Sequence, residues 1–180
     1  MELPAMNKLI FLLFSQFLLM LLELAMGNCG WTLPWALLGA IYITLALGRS
    51  WGMAAALLAG MVTAVLYGGD WNLLKIIVYP LLAGAVNWWI ENHNADVNIH
   101  FWTPGAWAGA VSALPALAHW LFRWSESGVY PTELHWVLLK MLWNAAVSAP
   151  LFMLMIFVGE AATEFLGLPR FLTRKGGEQR

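Results

Sequence analysis

The sequence predicts an all-α membrane protein with six transmembrane helices in one compact bundle. Hydrophobic residues make up 61% and charged residues 11% of its 180 positions, a composition typical of polytopic helical membrane proteins. Six long apolar runs follow one another, and the residues between them are too few to build a soluble domain. The whole chain, residues 1–180, is therefore predicted to be a single integral membrane domain.

The six apolar runs define the predicted spans. They lie at residues 9–26, 32–47, 51–68, 73–90, 104–122 and 135–158, and residues 159–180 form a tail. A helix needs about 20 residues to cross a hydrocarbon core of about 30 Å, so the second run can span only with local thinning or with flanking residues. Every connection is short, which predicts that sequential helices are antiparallel neighbours.

The distribution of Lys and Arg predicts the orientation. With six spans both termini share one side, and that side holds Lys8, Arg49, Arg170, Arg174, Lys175 and Arg180. The positive-inside bias then places both termini in the cytoplasm of a bacterial inner membrane. The small residues Ala25 and Gly27 could mark a cleaved signal peptide, but Glu23 precedes the site closely, and we expect an uncleaved first span.

Small residues recur at every fourth position along the third span. The stripe comprises Gly48, Gly52, Ala56, Gly60, Ala64 and Gly68. Small residues allow two backbones to approach closely, and in lipid this contact drives helix association. Gly105 and Gly109 repeat the pattern in the fifth span. The stripe serves either packing within the bundle or binding of a partner, and packing is favoured because a small bundle must first pack itself.

Ionisable residues inside spans are costly and are candidates for function. Four lie within or at the ends of the spans: Glu23, Lys75, Lys140 and Glu160. Gln16 shares a helix face with Glu23, and Lys140 shares one with Asn144, so a polar seam between the first and last helices could place Glu23 opposite Lys140. The alternative is that each side chain reaches water at a span end, which is favoured for Lys75 and Glu160.

Tryptophan is concentrated near the predicted span ends, where an indole ring can be buried and still hydrogen-bond at the headgroup level. Trp143 is the exception, about two turns inside the last span. It could pack in the bundle or line a ligand cavity, and packing is favoured.

The chain contains no motif that predicts catalysis or a cofactor. Glu91, His93, Asp96 and His100 are potential metal ligands, but the three Asn residues among them favour turns, so we interpret this segment as a solvated loop. If these residues did bind a metal, the protein could be a small metal-dependent membrane enzyme, which is one of three functional alternatives for this sequence. The net charge of −1 provides no basic patch for nucleic acid. We therefore expect no catalytic residues, no metal, no cofactor and no nucleic-acid partner.

Three stretches resemble the rod shape-determining protein MreD family, whose members are short six-span proteins of about this length. They are residues 33–40 (LPWALLGA), residues 51–60 (WGMAAALLAG) and residues 142–152 (LWNAAVSAPLF). These match the family's Pro-led second span, its glycine-spaced third span and a last span with an Asn six positions before a Pro.

The resemblance implies a nonenzymatic membrane subunit of the elongation machinery that builds lateral peptidoglycan. The implied partners are an MreC-like protein, a RodA-type glycosyltransferase, its penicillin-binding transpeptidase and the lipid bilayer. An MreC-like helix would be expected to contact the third span at Gly52, Ala56 and Gly60, or the fifth at Gly105 and Gly109.

The alternative is a substrate-binding S component of an energy-coupling vitamin transporter, to which MreD proteins look similar in fold. Such a protein binds its ligand at the outer end of the bundle, where Trp71, Trp124, Tyr130 and His135 are available. S components usually carry an Ala-xxx-Ala face on the first helix, whereas residues 9–26 are bulky throughout.

Overall fold

The computed structural model describes residues 5–29, 31–92, 102–127 and 133–168. Within these ranges every regular element is helical, which confirms the predicted all-α class. The elements are α1 (Ala5–Asn28), α2 (Trp35–Leu47), α3 (Arg49–Tyr67), a 3-10 turn (Asp70–Leu73), α4 (Leu74–Asn92), α5 (Trp102–Ser112), α6 (Leu114–Ser127) and α7 (Leu134–Phe165).

Four of the described helical segments are long and apolar enough to cross a membrane: Met6–Asn28, Arg49–Tyr67, Asp70–Asn92 and Leu134–Phe165. They correspond to the predicted first, third, fourth and sixth spans. The last helix continues to Phe165, so part of the predicted tail is helical. Residues 169–180 of that tail lie outside the described residues.

The short helix α2 is the centre of the bundle. It has 13 residues, about 20 Å of helix, and each residue from Ala36 to Ala46 is buried. It packs against α1, α3, α4, α5 and α7. A helix that is apolar on all sides is suited to such a position. The predicted second span is therefore enclosed by protein for most of its length.

A single glycine joins α2 to α3. Gly48 has φ of 98°, a left-handed conformation that residues with a Cβ rarely adopt, and its N–H donates to the carbonyl oxygen of Thr44 at 3.1 Å. Gly68 ends α3 in the same way, with φ of 59°. The first and last members of the predicted stripe thus terminate helices.

The predicted fifth span is two helices. α5 ends at Ser112, and α6 begins at Leu114. Pro115 has no N–H to continue the hydrogen-bond ladder, and the hydroxyl of Ser112 donates to the carbonyl oxygen of Gly109 at 2.7 Å. The predicted fifth span, residues 104–122, therefore contains a helix break that the sequence analysis did not predict.

Candidate functional site

A cavity of about 460 Å³ lies where several helices meet at one end of the bundle. α1 and α3 end here, while α2, α4 and α7 begin here, so the cavity is at the end opposite Ala5 and Phe165. We call it the polar cavity. Its polar and aromatic lining residues include Glu23, Tyr67, Trp71, Lys75, Tyr79, Ser112, His119, Lys140 and Asn144.

Glu23 caps the N-terminus of the central helix. Its side chain is only 5% exposed, and its carboxylate accepts a hydrogen bond from the backbone N–H of Ala36 at 3.0 Å. The first N–H groups of a helix have no partner within the helix, and the helix dipole favours a negative charge there. This contact gives the buried carboxylate a structural reason to be inside the bundle.

Lys75 lies against the same cavity and is 8% exposed. Its ammonium group sits 4.6 Å from the centroid of the Tyr67 ring, and Glu23 lines the same cavity. The structure thus places the Lys75 side chain in the cavity wall beside the Tyr67 ring, whereas the favoured expectation was that it reaches water at the end of its span.

Gln16 is fully buried on the same side of α1 as Glu23. In the amide orientation that satisfies both of its polar groups, it donates to the carbonyl oxygen of Ala36 at 3.2 Å and accepts from the N–H of Ala40 at 3.1 Å. Gln16 therefore joins α1 to α2 and does not reach the polar cavity.

The predicted seam between the first and last helices is replaced by this cavity. α1 packs against α2 and α3, whereas α7 packs mainly against α5, and α2 contacts both α1 and α7. Glu23 and Lys140 line one cavity without an ion pair between them among the described residues. The helical periodicity correctly predicted which side chains share a helix face. It did not predict that α2 lies between α1 and α7.

Asn144 joins three parts of the cavity wall. It is 3% exposed, and its amide donates to the hydroxyl of Ser112 at 3.1 Å and to the carbonyl oxygen of Thr32 at 3.4 Å. These contacts connect α7 to the break between α5 and α6 and to the segment before α2. Ser112 is a site residue that the sequence analysis missed, although Ser112 followed by Pro115 was a signal for a break at this point.

A second cavity of about 570 Å³ adjoins the first on the outer surface of α7. Four of its lining residues, Trp31, Trp136, Leu139 and Trp143, are large, apolar and more than half exposed. We call it the aromatic groove. It shares Thr32, Leu33, Lys140 and Asn144 with the polar cavity.

Trp143 differs from its favoured interpretation as a packing residue. It is 60% exposed and lines the aromatic groove. Lys140, one turn earlier on α7, is exposed at the boundary between the groove and the polar cavity. Of the other predicted ligand-binding residues, Trp71 lines the polar cavity, while Trp124 contacts Trp120 and His135 contacts Trp136.

The small residues of α3 lie at close helix contacts. A Cβ added at Gly52 would collide with Thr44 of α2, and one added at Gly60 would lie 2.6 Å from the carbonyl oxygen of Lys75 in α4. Ala56 and Ala64 are buried. The four stripe members inside α3 therefore face the protein's own helices and are not available to a partner, whereas Gly68 at its end is exposed.

The glycines of α5 face α7 in the same way. A Cβ at Gly105 would lie 2.7 Å from the carbonyl oxygen of Ser148, and one at Gly109 would collide with the backbone of Asn144. Both sets of candidate partner-binding glycines are thus occupied by packing within the bundle.

Several candidate residues lie outside the described residues. They are His93, Asp96 and His100 of the acidic and histidine-rich loop, and Tyr130. Glu91 lies in the last turn of α4. Within the described ranges no three His, Cys, Asp or Glu side chains are grouped so that they could hold a metal ion.

A scan of protein families, a search of curated proteins and a search of solved structures each returned no match.

Proposed function

We propose that the protein is a nonenzymatic membrane subunit of the bacterial cell-shape machinery, which supports lateral peptidoglycan synthesis by binding the transmembrane helix of an MreC-like partner. In this proposal six segments cross the inner membrane with both termini in the cytoplasm, and the α5–α6 pair serves as one span. The resemblance of residues 33–40, 51–60 and 142–152 to the MreD family supports the assignment.

One glycine carries the proposed contact. Among the helical glycines in the described ranges, Gly84 of α4 is the one whose added Cβ would meet its nearest neighbour only at 4.0 Å, the sulfur of Met53. Leu81 and Trp88, one turn on either side, are 63% and 60% exposed. Ala85 is exposed as well. A small step between large apolar side chains is the surface on which a second helix backbone can approach closely.

The test is retention of separately expressed partners. The detergent-solubilised protein should retain the MreC-like protein and should not retain a transporter T subunit. Gly84→Leu should reduce retention while leaving the elution volume and the melting temperature unchanged, because the open face accommodates the side chain in the free protein. Val65→Leu, at a position 82% exposed on α3, is the matched control.

Two results would contradict this assignment. One is retention of the T subunit alone, and the other is a folded protein that retains neither partner. Retention of the MreC-like protein by Gly84→Leu at the parental level would leave the family assignment intact and remove α4 as the contact.

The polar cavity favours a second candidate function, binding of a soluble ligand as an S component. Its volume of about 460 Å³ is within the range of small-molecule sites, and it combines aromatic walls with a few polar groups. Mass spectrometry of the purified protein would detect a bound vitamin, and a bound vitamin together with T-subunit retention would establish this alternative.

A further inference from the structure

The polar cavity carries an excess of positive charge. Three ionisable residues with Lys or Glu side chains line it: Glu23, Lys75 and Lys140. The two lysines contribute two ammonium groups and Glu23 one carboxylate, which already accepts a hydrogen bond from the N–H of Ala36. The cations therefore outnumber the carboxylates in the cavity lining, and Lys140 makes no ion pair with Glu23.

Lys140 lies near the start of α7, a helix long and apolar enough to cross a membrane. α7 begins at Leu134, and Lys140 follows six residues later, about 9 Å along the helix axis. Trp136 and Trp31 lie near the same end of the bundle and are exposed, as expected of residues at the boundary between hydrocarbon and headgroups. A phosphate at this depth would be within reach of a lysine side chain.

The aromatic groove continues from Lys140 along the exposed side of α7. Leu139 and Trp143 flank Lys140 on the exterior, and both are more than half exposed. A groove of this kind accepts an acyl chain, while the adjoining cavity accepts a polar headgroup. The shared boundary at Lys140 and Asn144 joins an apolar surface to an uncompensated cation.

We propose that this composite site binds one anionic membrane lipid, with the phosphate of its headgroup at Lys140 and an acyl chain in the aromatic groove between Trp31, Leu139 and Trp143. The attraction of a lysine for a phosphate places the headgroup, and burial of the chain against the indole rings adds apolar contact. This site is independent of the proposed partner surface on α4.

The experiment measures lipid binding to the purified full-length protein in a neutral detergent by native mass spectrometry and thermal shift. The probes are dioctanoyl phosphatidylglycerol, dioctanoyl phosphatidylcholine and glycerol 3-phosphate. We expect the phosphatidylglycerol to be retained with one-to-one stoichiometry and to raise the melting temperature, and we expect neither effect from the zwitterionic lipid or the chain-free phosphate.

Variants locate the site. Lys140→Gln should weaken phosphatidylglycerol binding about tenfold, the effect of losing one charge-assisted hydrogen bond. Trp143→Ala should also weaken phosphatidylglycerol binding, because the acyl chain loses its contact with the indole ring. The matched controls are Lys8→Gln, in the first turns of α1 at the other end of the bundle, and Trp88→Ala, which is equally exposed at 60%. Both should bind like the parent.

Three outcomes would overturn the proposal. Equal binding of the two lipids would remove the role of charge. Equal stabilisation by glycerol 3-phosphate would show that the cavity takes a free anion and that the groove contributes nothing. Parental affinity of a folded Lys140→Gln variant would place the lipid elsewhere on the protein. None of these results bears on partner retention, so this proposal and the proposed function fail separately.

Discussion

The two ends of the bundle accommodate a carboxylate near the central helix α2 in different ways. Each end holds a buried or half-buried carboxylate close to the central helix. At the cavity end Glu23 bonds to the backbone of α2, and beyond it lies open volume lined by two lysines. At the other end the hydroxyl of Tyr42 lies 3.4 Å from a carboxylate oxygen of Glu160 and 3.3 Å from the hydroxyl of Thr163.

The two ends differ in how the space between the helices is filled. The ring of Tyr42 lies against Gly159, where an added Cβ would be 2.4 Å from a ring carbon, so an aromatic ring fills the space between α2 and α7. At the cavity end the break between α5 and α6 and the glycine-rich turn after α3 leave that space empty. A buried polar side chain is therefore not by itself a reason to propose a binding site in this protein. Buried polar side chains that line a cavity, as at the Glu23 end, are such a reason.

The largest expected effect comes from the close contact that positions the cavity wall. Gly60→Leu would force α3 away from the backbone of Lys75, and we expect a loss of about 3 kcal/mol or more of unfolding free energy, the upper end of the usual cost of overpacking, because the colliding atoms are backbone. The readouts are the monodisperse fraction on size exclusion and the melting temperature in mild detergent. Gly84→Leu is the matched control in the neighbouring helix, and it should behave like the parent. Identical behaviour of the two variants would show that the α3–α4 contact is not tight.

The sequence predicted close packing well because the relevant information is local. Gly52, Gly60, Gly105 and Gly109 each face a neighbouring helix in the structure, and a four-residue spacing is sufficient to place small residues on one face. The ends of the stripe were less predictable. Whether a glycine continues a helix or ends it, as Gly48 and Gly68 do, depends on the backbone conformation that the following segment requires.

The sequence identified the polar residues of the site but not their hydrogen-bond partners. Glu23, Lys140 and Asn144 do line one cavity, yet Glu23 accepts from a backbone N–H of α2, and Asn144 donates to the hydroxyl of Ser112 and the carbonyl oxygen of Thr32. No side-chain pattern encodes a backbone partner on another helix. The central position of α2 decides these contacts, and that position follows from the packing of the whole chain.

A smaller effect is expected from removing the two carboxylates. Glu23→Ala leaves the N–H of Ala36 without its acceptor, and the loss of a charged hydrogen bond predicts a cost of about 1.5–3 kcal/mol. Glu160→Ala removes a longer contact with a hydroxyl from a half-buried position, and it should cost less than Glu23→Ala. Thermal unfolding of both variants in the same detergent measures the difference. An equal or larger loss in Glu160→Ala would reverse the order of the two ends.

The smallest expected effect is at the filled end. Tyr42→Phe keeps the ring against Gly159 and removes only the hydroxyl, whose contacts with Glu160 at 3.4 Å and Thr163 at 3.3 Å are long for hydrogen bonds between oxygens. We expect a loss of about 0.5–1 kcal/mol of unfolding free energy, at the lower end for a hydrogen bond, measured by thermal unfolding.

The Tyr42→Phe and Thr163→Val variants, together with the double variant, measure the coupling between the two hydroxyls. Because these residues lie at the end away from the polar cavity, where the Tyr42 ring packs against Gly159, all three variants should retain phosphatidylglycerol at the parental level. If Tyr42→Phe instead weakened lipid binding as much as Lys140→Gln, the two ends would be coupled through α2, and the central helix would transmit a change over its whole length.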